Sequence, residues 1–488
     1  MKTMGLAAVM SAIVPLVACG QVKEGTGDGK GAISVTIYSS ANVNTFDPQR
    51  WMTEEQAKTD ALPGYAVVRE VRKIDLVAGD NAVRFADVAA GIDPTTVRFR
   101  SLTAPETTAI REQSFQYDLA SPDKLLQKYV GRNILINRKQ EPLKDDKSHT
   151  PETIQGKLLS YDANTFVLQT DNKQLPVEFV PRSADLSEIK LFDLENGLIT
   201  RPTLLWKVRT DTAGAHDAQV TYTTDRMTWR ADYSLVLDKD ETAAEFGGWA
   251  TVVNQSGADF ANARITLVSG DVRPADTSVV HGTYVLSQPV SIVNNSVKQV
   301  ELFPLRGAVP ISRRFVFRSL NKVTVKPGQV KEPSDGVAMV VRIKNAEGAG
   351  LGMALPAGRV RVYQRGDGDA EQMLGAGVIG ETAVGGTVET MTAASGLRGE
   401  RRETELVQDG EGRANQSNSL SQTVTIRLQN NRQTAVTLEA EDDISLYPAW
   451  EITKSSDKYE KVDPHLVRFM VEVPAGGEKT VEYRVKYN

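Results

Sequence analysis

The densest group of residues able to move protons is EAEDDISLYPAWE, Glu439 to Glu451. Glu439, Glu441, Asp442 and Asp443 stand there beside Tyr447 and Trp450. Carboxylates next to aromatic rings equip sugar-binding and glycosidase sites, where rings stack on pyranose faces and paired acids handle the protons. Asp442 and Asp443 are the candidate acids of that reading. The simpler reading, favoured here, is an acidic sheet edge whose charge discourages strand addition, with the aromatics packed in the core. Other motifs carry less. RGDGDAE, from Arg365, alternates Asp367, Asp369 and Glu371, but a calcium loop needs more oxygen ligands in a defined order, so a solvated hairpin tip is expected. GAGVIG, Gly375 to Gly380, satisfies G-x-G-x-x-G, yet the dinucleotide fingerprint needs a helix next, and the alternating ETAVGGTVE follows instead. His149, His216, His281 and His465 are too dispersed for local metal-ligand spacing. Neither G-x-S-x-G nor H-E-x-x-H occurs. No catalytic, cofactor-binding or metal residue is therefore assigned, and no cofactor is expected.

One further residue has a chemistry of its own. Cys19 is the only cysteine. Lys2 precedes a small and apolar run from Met4 to Ala18 that is too short to span a bilayer and reads as a secretory signal over residues 1–18. The run ends Leu16, Val17, Ala18, Cys19, which resembles the lipobox of bacterial lipoproteins. That resemblance implies that Cys19 is the lipidation site and the mature N-terminus. The alternative is an ordinary signal cut after Gly20, with Cys19 discarded. Gly20 is not the aspartate that would imply retention at an inner membrane, so the expected location is the periplasmic face of the outer membrane. Residues 19–32, Gly-rich and polar, read as a flexible tether. The formal net charge of -5 argues against nucleic acid as a partner, because that needs a clustered basic surface. A single thiol permits no intrachain disulfide, so the fold must rest on burial.

The elements that would position these groups are strands. Trp229, Ala231, Tyr233, Leu235 and Leu237 alternate with Arg230, Asp232 and Ser234, giving one core face and one wet face. Val424, Ile426 and Leu428 repeat the pattern, as do Val481, Tyr483, Val485 and Tyr487. Ala-Gly pairs at Gly79, Gly214 and Gly476 lie between alternating runs and read as hairpin tips. ASPDKLLQKYVG, from Ala120, reads as a short helix: Ser121 caps it, Pro122 opens it and Gly131 ends it. Five brief runs follow, at 133–137, 156–161, 165–170, 174–180 and 186–192. The expected fold is mainly β and multidomain: antiparallel β-sandwiches in series with a small helix-plus-five-strand barrel, similar to the Sm-like kind. Its parts are an N-terminal β domain over 33–115 with an insertion at 42–62, the barrel over 116–195, a sandwich over 196–345, and a C-terminal sandwich over 346–488 with an irregular loop at 393–422. Trp206, Trp229, Trp249 and Trp450 are expected as core anchors, and Trp51 as part-exposed.

Several longer stretches carry a family resemblance. They are GIDPTTVRFRSL at Gly91, YDLASPDKLLQKYVG at Tyr117, GLITRPTLLW at Gly197, TDRMTWRADYSLVLD at Thr224, GWATVVNQSGADFANARITLVSGDV at Gly248, LPAGRVRVYQR at Leu355 and VEVPAGGEKTVEYRVKY at Val471. In order from Ile33 to Asn488 they resemble the bacterial domain of unknown function 4139 family, related to proteins labelled mucoidy inhibitor A-like. The resemblance implies an exported, mostly β protein, a hint of exopolysaccharide or envelope regulation, and no transferable site residue. The expected function is a non-enzymatic, membrane-tethered scaffold or binding module of the envelope. Its partners would be the membrane, through the lipid, and envelope proteins or polysaccharide. The alternative is a hydrolase or regulator acting on envelope or exopolysaccharide. Cys19→Ser removes the only thiol able to accept lipid, and each buried methylene of an acyl chain contributes about 0.8 kcal/mol of membrane affinity. Metabolic labelling with a fatty acid is expected to mark the wild type and leave the variant blank.

Overall fold

The computed structural model describes residues 23–24, 30–53, 61–116, 122–138, 152–174, 176–182, 186–192, 201–270, 282–319, 336–366, 370–404, 407–409, 419–444 and 449–487. Cys19, His149, His281, Asp367, Asp369 and Tyr447 lie outside the described residues. Two compact units are interleaved along the chain. The first takes the described residues of Met1–Ser34, Val67–Asp225 and Ser256–Ala263, and the second those of Val35–Ala66, Arg226–Gln255 and Arg264–Asn488.

In the first unit the helix forms at Pro122–Tyr129, and Gly131 takes a φ of 87° just beyond it. The five strands that follow are Asn133–Arg138, Glu152–Tyr161, Thr165–Gln169, Val177–Pro181 and Leu186–Leu191. The first of them lies between the second and the fifth, and the fourth forms the far edge. Leu126 and Tyr129 of the helix share a core with Ile134, Ile136, Leu158 and Phe166. The Tyr129 hydroxyl donates to the Phe192 carbonyl at 2.6 Å. Among the described residues the two end strands do not pair, so this is an open sheet and not the expected closed barrel. A second sheet of this unit sets Thr203–Thr210 between Gly79–Ala86 and Thr108–Gln116, all antiparallel. Trp206 is buried there and its N–H donates to Gln113 Oε1 at 2.9 Å. The hairpin tips fall where the Ala-Gly pairs put them: Gly79, Gly214 and Gly476 have φ of 99°, 123° and 62°, a region that glycine enters without steric cost.

The second unit holds β1 (Met227–Leu237), β2 (Ala243–Asn254), β3 (Ser296–Ser319), β4 (Val337–Lys344), β5 (Gly358–Arg365), β6 (Glu371–Ile379) and β7 (Thr387–Ala393). It continues with β8 (Leu397–Glu403), β9 (Ser419–Asn430), β10 (Val436–Asp443), β11 (Trp450–Ser455), β12 (Tyr459–Lys461), β13 (Leu466–Val473) and β14 (Glu478–Tyr487). A ten-stranded sheet runs β6-β5-β1-β2-β3-β10-β13-β12, with β4 on β3 and β7 on β4. A five-stranded sheet runs β8-β9-β14-β11, with Val407–Asp409 added to β9. Two ladders of the large sheet, β1 with β5 and β3 with β10, are parallel, so the expectation of purely antiparallel sandwiches in series fails in this unit. Parallel neighbours need long crossovers, which local alternation does not reveal. The expected irregular loop at 393–422 likewise contains β8 and the start of β9. Leu397 and Gly399 of β8 point inward, and a Cβ on Gly399 would lie 2.2 Å from the Phe317 ring.

The alternation in β1 is right about its apolar face and wrong about the other. Trp229, Ala231, Tyr233, Leu235 and Leu237 are buried, but so are Arg230 and Asp232. Arg230 donates from Nε to Asp232 Oδ2 at 3.1 Å, Thr251 Oγ1 donates to the same oxygen at 2.5 Å, and Arg230 Nη1 donates to the Phe46 carbonyl. The cover comes from the segment expected as an insertion. Phe46 and Leu62 pack on Val253, with Trp51, Met52 and Val297 around them. Trp51 is half-buried, as expected. On the core face a Cβ at Gly248 would lie 2.3 Å from Phe303, whose ring packs at a tilt against those of Phe246 and Tyr233. Phe46→Ala opens a void over a buried ion pair. It is expected to lower unfolding free energy by roughly 3 kcal/mol, read from the urea midpoint of the full chain.

Candidate functional site: the carboxylates of β10

β10 reads VTLEAEDD, and consecutive side chains of a strand point to opposite faces. Asp442 therefore faces inward with Leu438 and Ala440, while Glu439 and Glu441 face outward. Inward, Asp442 lies between the two sheets. Arg401 of β8 donates from Nε to Asp442 Oδ1 and Oδ2 at 2.8 and 2.9 Å, and the Tyr483 hydroxyl of β14 donates to Oδ2. Arg401 also donates to Glu403. Phe469 packs 5.3 Å from the Tyr483 ring, so the cluster is closed by apolar neighbours. Burial pushes the Asp442 carboxyl above its ordinary value, against the pull of Arg401 and the Tyr483 hydroxyl. Burial raises Tyr483 too, helped by the Asp442 charge. For Arg401 burial acts against the charge, but Asp442, Tyr483 and Glu403 together outweigh it and the guanidinium is held protonated. This is a desolvated ion pair with a hydroxyl completing it, and such a pair fixes which strands face one another.

Outward, Glu441 is fully covered and accepts from Arg468 Nη2 at 2.7 Å and from Arg318 Nε at 2.6 Å. Glu439 accepts from Arg314 at 2.8 Å, with Arg468 Nε 3.6 Å away. Two carboxylates at i and i+2 of a strand share a face, with Cα atoms about 7 Å apart, a placement from which two carboxyl groups can flank one glycosidic bond. Here Arg468 contacts both. Burial alone would raise Glu441, yet the hydrogen bonds from Arg468 and Arg318 hold it below its ordinary value, the wrong direction for a general acid. Glu441 and Asp442, facing opposite ways, cannot flank one bond.

The remaining candidates scatter. Asp443 is half-buried at the end of β10. Trp450 is half-buried on β11, with its N–H donating to the Pro464 carbonyl at 2.7 Å and Lys461 Nζ 4.1 Å from its ring, so it is not the expected core anchor. Trp249 departs further from that expectation, being 43% exposed. His216 is buried in the first unit between Ser101 Oγ at 3.0 Å and the Thr212 carbonyl at 2.9 Å, and His465 is exposed. GAGVIG lies within and just after strand β6, the setting that excludes a pyrophosphate site. Glu371 of the acidic hairpin lies 3.7 Å from Arg365. Among the described residues no cluster of three or more potential metal ligands occurs. Sequence reasoning singled out Asp442 but missed its partners. Arg401 follows Leu397 and Gly399 at two-residue steps, an inward parity that could have exposed it.

The fold and its ion pairs define a multi-sheet β protein with a sandwich in its C-terminal unit, whose most acidic strand is a structural junction. Residues 218–488 match the family described as Domain of unknown function (DUF4139), and the chain belongs to that family. No curated protein matches it. Asp442→Ala leaves Arg401 buried without its main partner and is expected to cost about 3–5 kcal/mol. The triple replacement Arg401→Met, Asp442→Leu, Tyr483→Phe removes charge and hydroxyl together and is expected to recover most of that loss. Urea unfolding of the two variants checks both.

Proposed function

We propose that this chain is a non-enzymatic envelope protein, tethered to a membrane through lipid on Cys19 and acting as a scaffold or binding module. The observation that supports it best is the use made of the strongest candidate acids. Asp442 joins two sheets through Arg401 and Tyr483, and Glu441 is bound by Arg318 and Arg468 on the opposite face. Carboxylates placed in this way organise a fold, and wide sheets with exposed faces offer partners a platform. The lipobox-like Leu16 to Cys19 supports the tether, the absence of aspartate after it supports the periplasmic face of the outer membrane, and the family resemblance supports an envelope role.

The test incubates the purified full chain with isolated peptidoglycan and exopolysaccharide, with and without calcium, and counts new reducing ends. None are expected. Release that Asp442→Asn with Asp443→Asn eliminates, at an unchanged unfolding midpoint, would replace this reading with a hydrolase.

A further inference from the structure

The outer face of the large sheet holds a feature that neither folding nor the ion pairs use. Trp249 is the one exposed residue of β2, at 43%, in a strand otherwise buried or half-buried. An indole left in water forfeits part of the stabilisation that its burial would contribute. Its N–H has no hydrogen-bond partner among the described residues.

Directly paired residues of neighbouring strands share a face. Trp249 is paired with Asp232 of β1, and Asp232 with Arg359 of β5. The adjacent row sets Gly247 beside Ser234, and Ser234 beside Arg361. Trp249 and Arg359 are thus two strands apart, about 10 Å, with Arg361 one row further along. Between Trp249 and Arg359 stands Asp232, buried and held by Arg230 and Thr251, and in the adjacent row, leading to Arg361, the floor is low: Gly247 has no side chain and Ser234 only a hydroxymethyl. Leu305, 60% exposed, borders Gly247, and its Cδ1 would lie 3.2 Å from a Cβ placed there. Exposed Glu301 stands on the far side of Trp249.

Charge distinguishes two of these residues. On the same face Arg230 is neutralised by Asp232 and Arg365 by Glu245, at 3.0 Å each. Arg359, half-buried, and Arg361, exposed, form no ion pair among the described residues. A flat aromatic surface beside two uncompensated guanidinium groups complements a ligand that has both an apolar ring face and carboxylates. Arginine forks match carboxylate geometry, and pyranose faces stack on indole as other C–H surfaces do on aromatic rings.

We propose that this face binds an acidic polysaccharide, with Trp249 stacking on a sugar ring and Arg359 and Arg361 pairing with uronate carboxylates. The inference deepens the reading of the chain as a binding module and rests on it. The test is affinity electrophoresis of the full chain in mild detergent through gels containing polygalacturonate, with neutral dextran gels alongside. Retardation by polygalacturonate and not by dextran is expected, weakening as salt is raised. Trp249→Ala and the pair Arg359→Gln with Arg361→Gln should each weaken it about tenfold, while the urea midpoint stays near the wild-type value. Lack of retardation, equal retardation in dextran, or retardation untouched by both variants would overturn the proposal. So would binding to anionic lipid vesicles in its place. A chain that is not retarded and also releases no reducing ends refutes this inference alone, because the module reading is judged by the reducing ends.

Discussion

A carboxylate placed between two sheets is the constraint on which the C-terminal sandwich depends. Asp442 cannot stay in that interior unless a cation and a donor meet it there, and they arrive from two different strands of the opposite sheet, Arg401 of β8 and Tyr483 of β14. A hydrophobic contact tolerates sliding; this one does not. It sets β10 against β8 and β14 in a single register, and the ring of Phe469 and the glycine at 399 shape the space around it. The outward side of the same strand is fixed just as firmly by Arg318 and Arg468 on Glu441. One strand is therefore held by charge on both faces, which gives each buried acid of the cluster a structural partner.

The same principle recurs elsewhere in the second unit. Arg230 and Asp232 occupy what should be the wet face of β1, and they remain dry because Phe46 and Leu62 fold over the adjoining Val253. The covering segment accepts a hydrogen bond from the cation through the Phe46 carbonyl. The cover and the pair sustain one another. A few residues along the same face the cover ends, and Trp249 stands in the open.

Much of the fold was legible in the sequence because strands and turns are local events. Period-two alternation found β1, β9 and β14, Ala-Gly found three hairpin tips, and Pro122 with Gly131 bounded the helix. What stayed hidden was non-local. Nothing near Ala231 indicates that Gly358 will lie beside it in a parallel ladder. Nothing near Asp442 indicates Arg401, because the segment around Arg401 is polar enough to pass for a loop until its inward partner is known. Trp249 and Trp229 occupy similar apolar surroundings in sequence, but one is exposed and the other buried, since face depends on register with strands that are distant in the chain. The candidate site was half visible: the acid could be read, its neutralisation could not.

The parallel ladders of β1 with β5 and β3 with β10 have a kinetic consequence. Each joins segments separated by several intervening strands, so the chain must close long loops before either ladder can form. β3, a 24-residue strand, pairs with β2 along its first part and with β4 and β10 along its last, and it cannot be completed while β10 is absent. The large sheet thus matures only after most of the chain is present, and until then the flanks of β1 and β3 remain unpaired edges. Slow assembly with open edges leaves the partly folded chain exposed to association with other chains before its large sheet is complete.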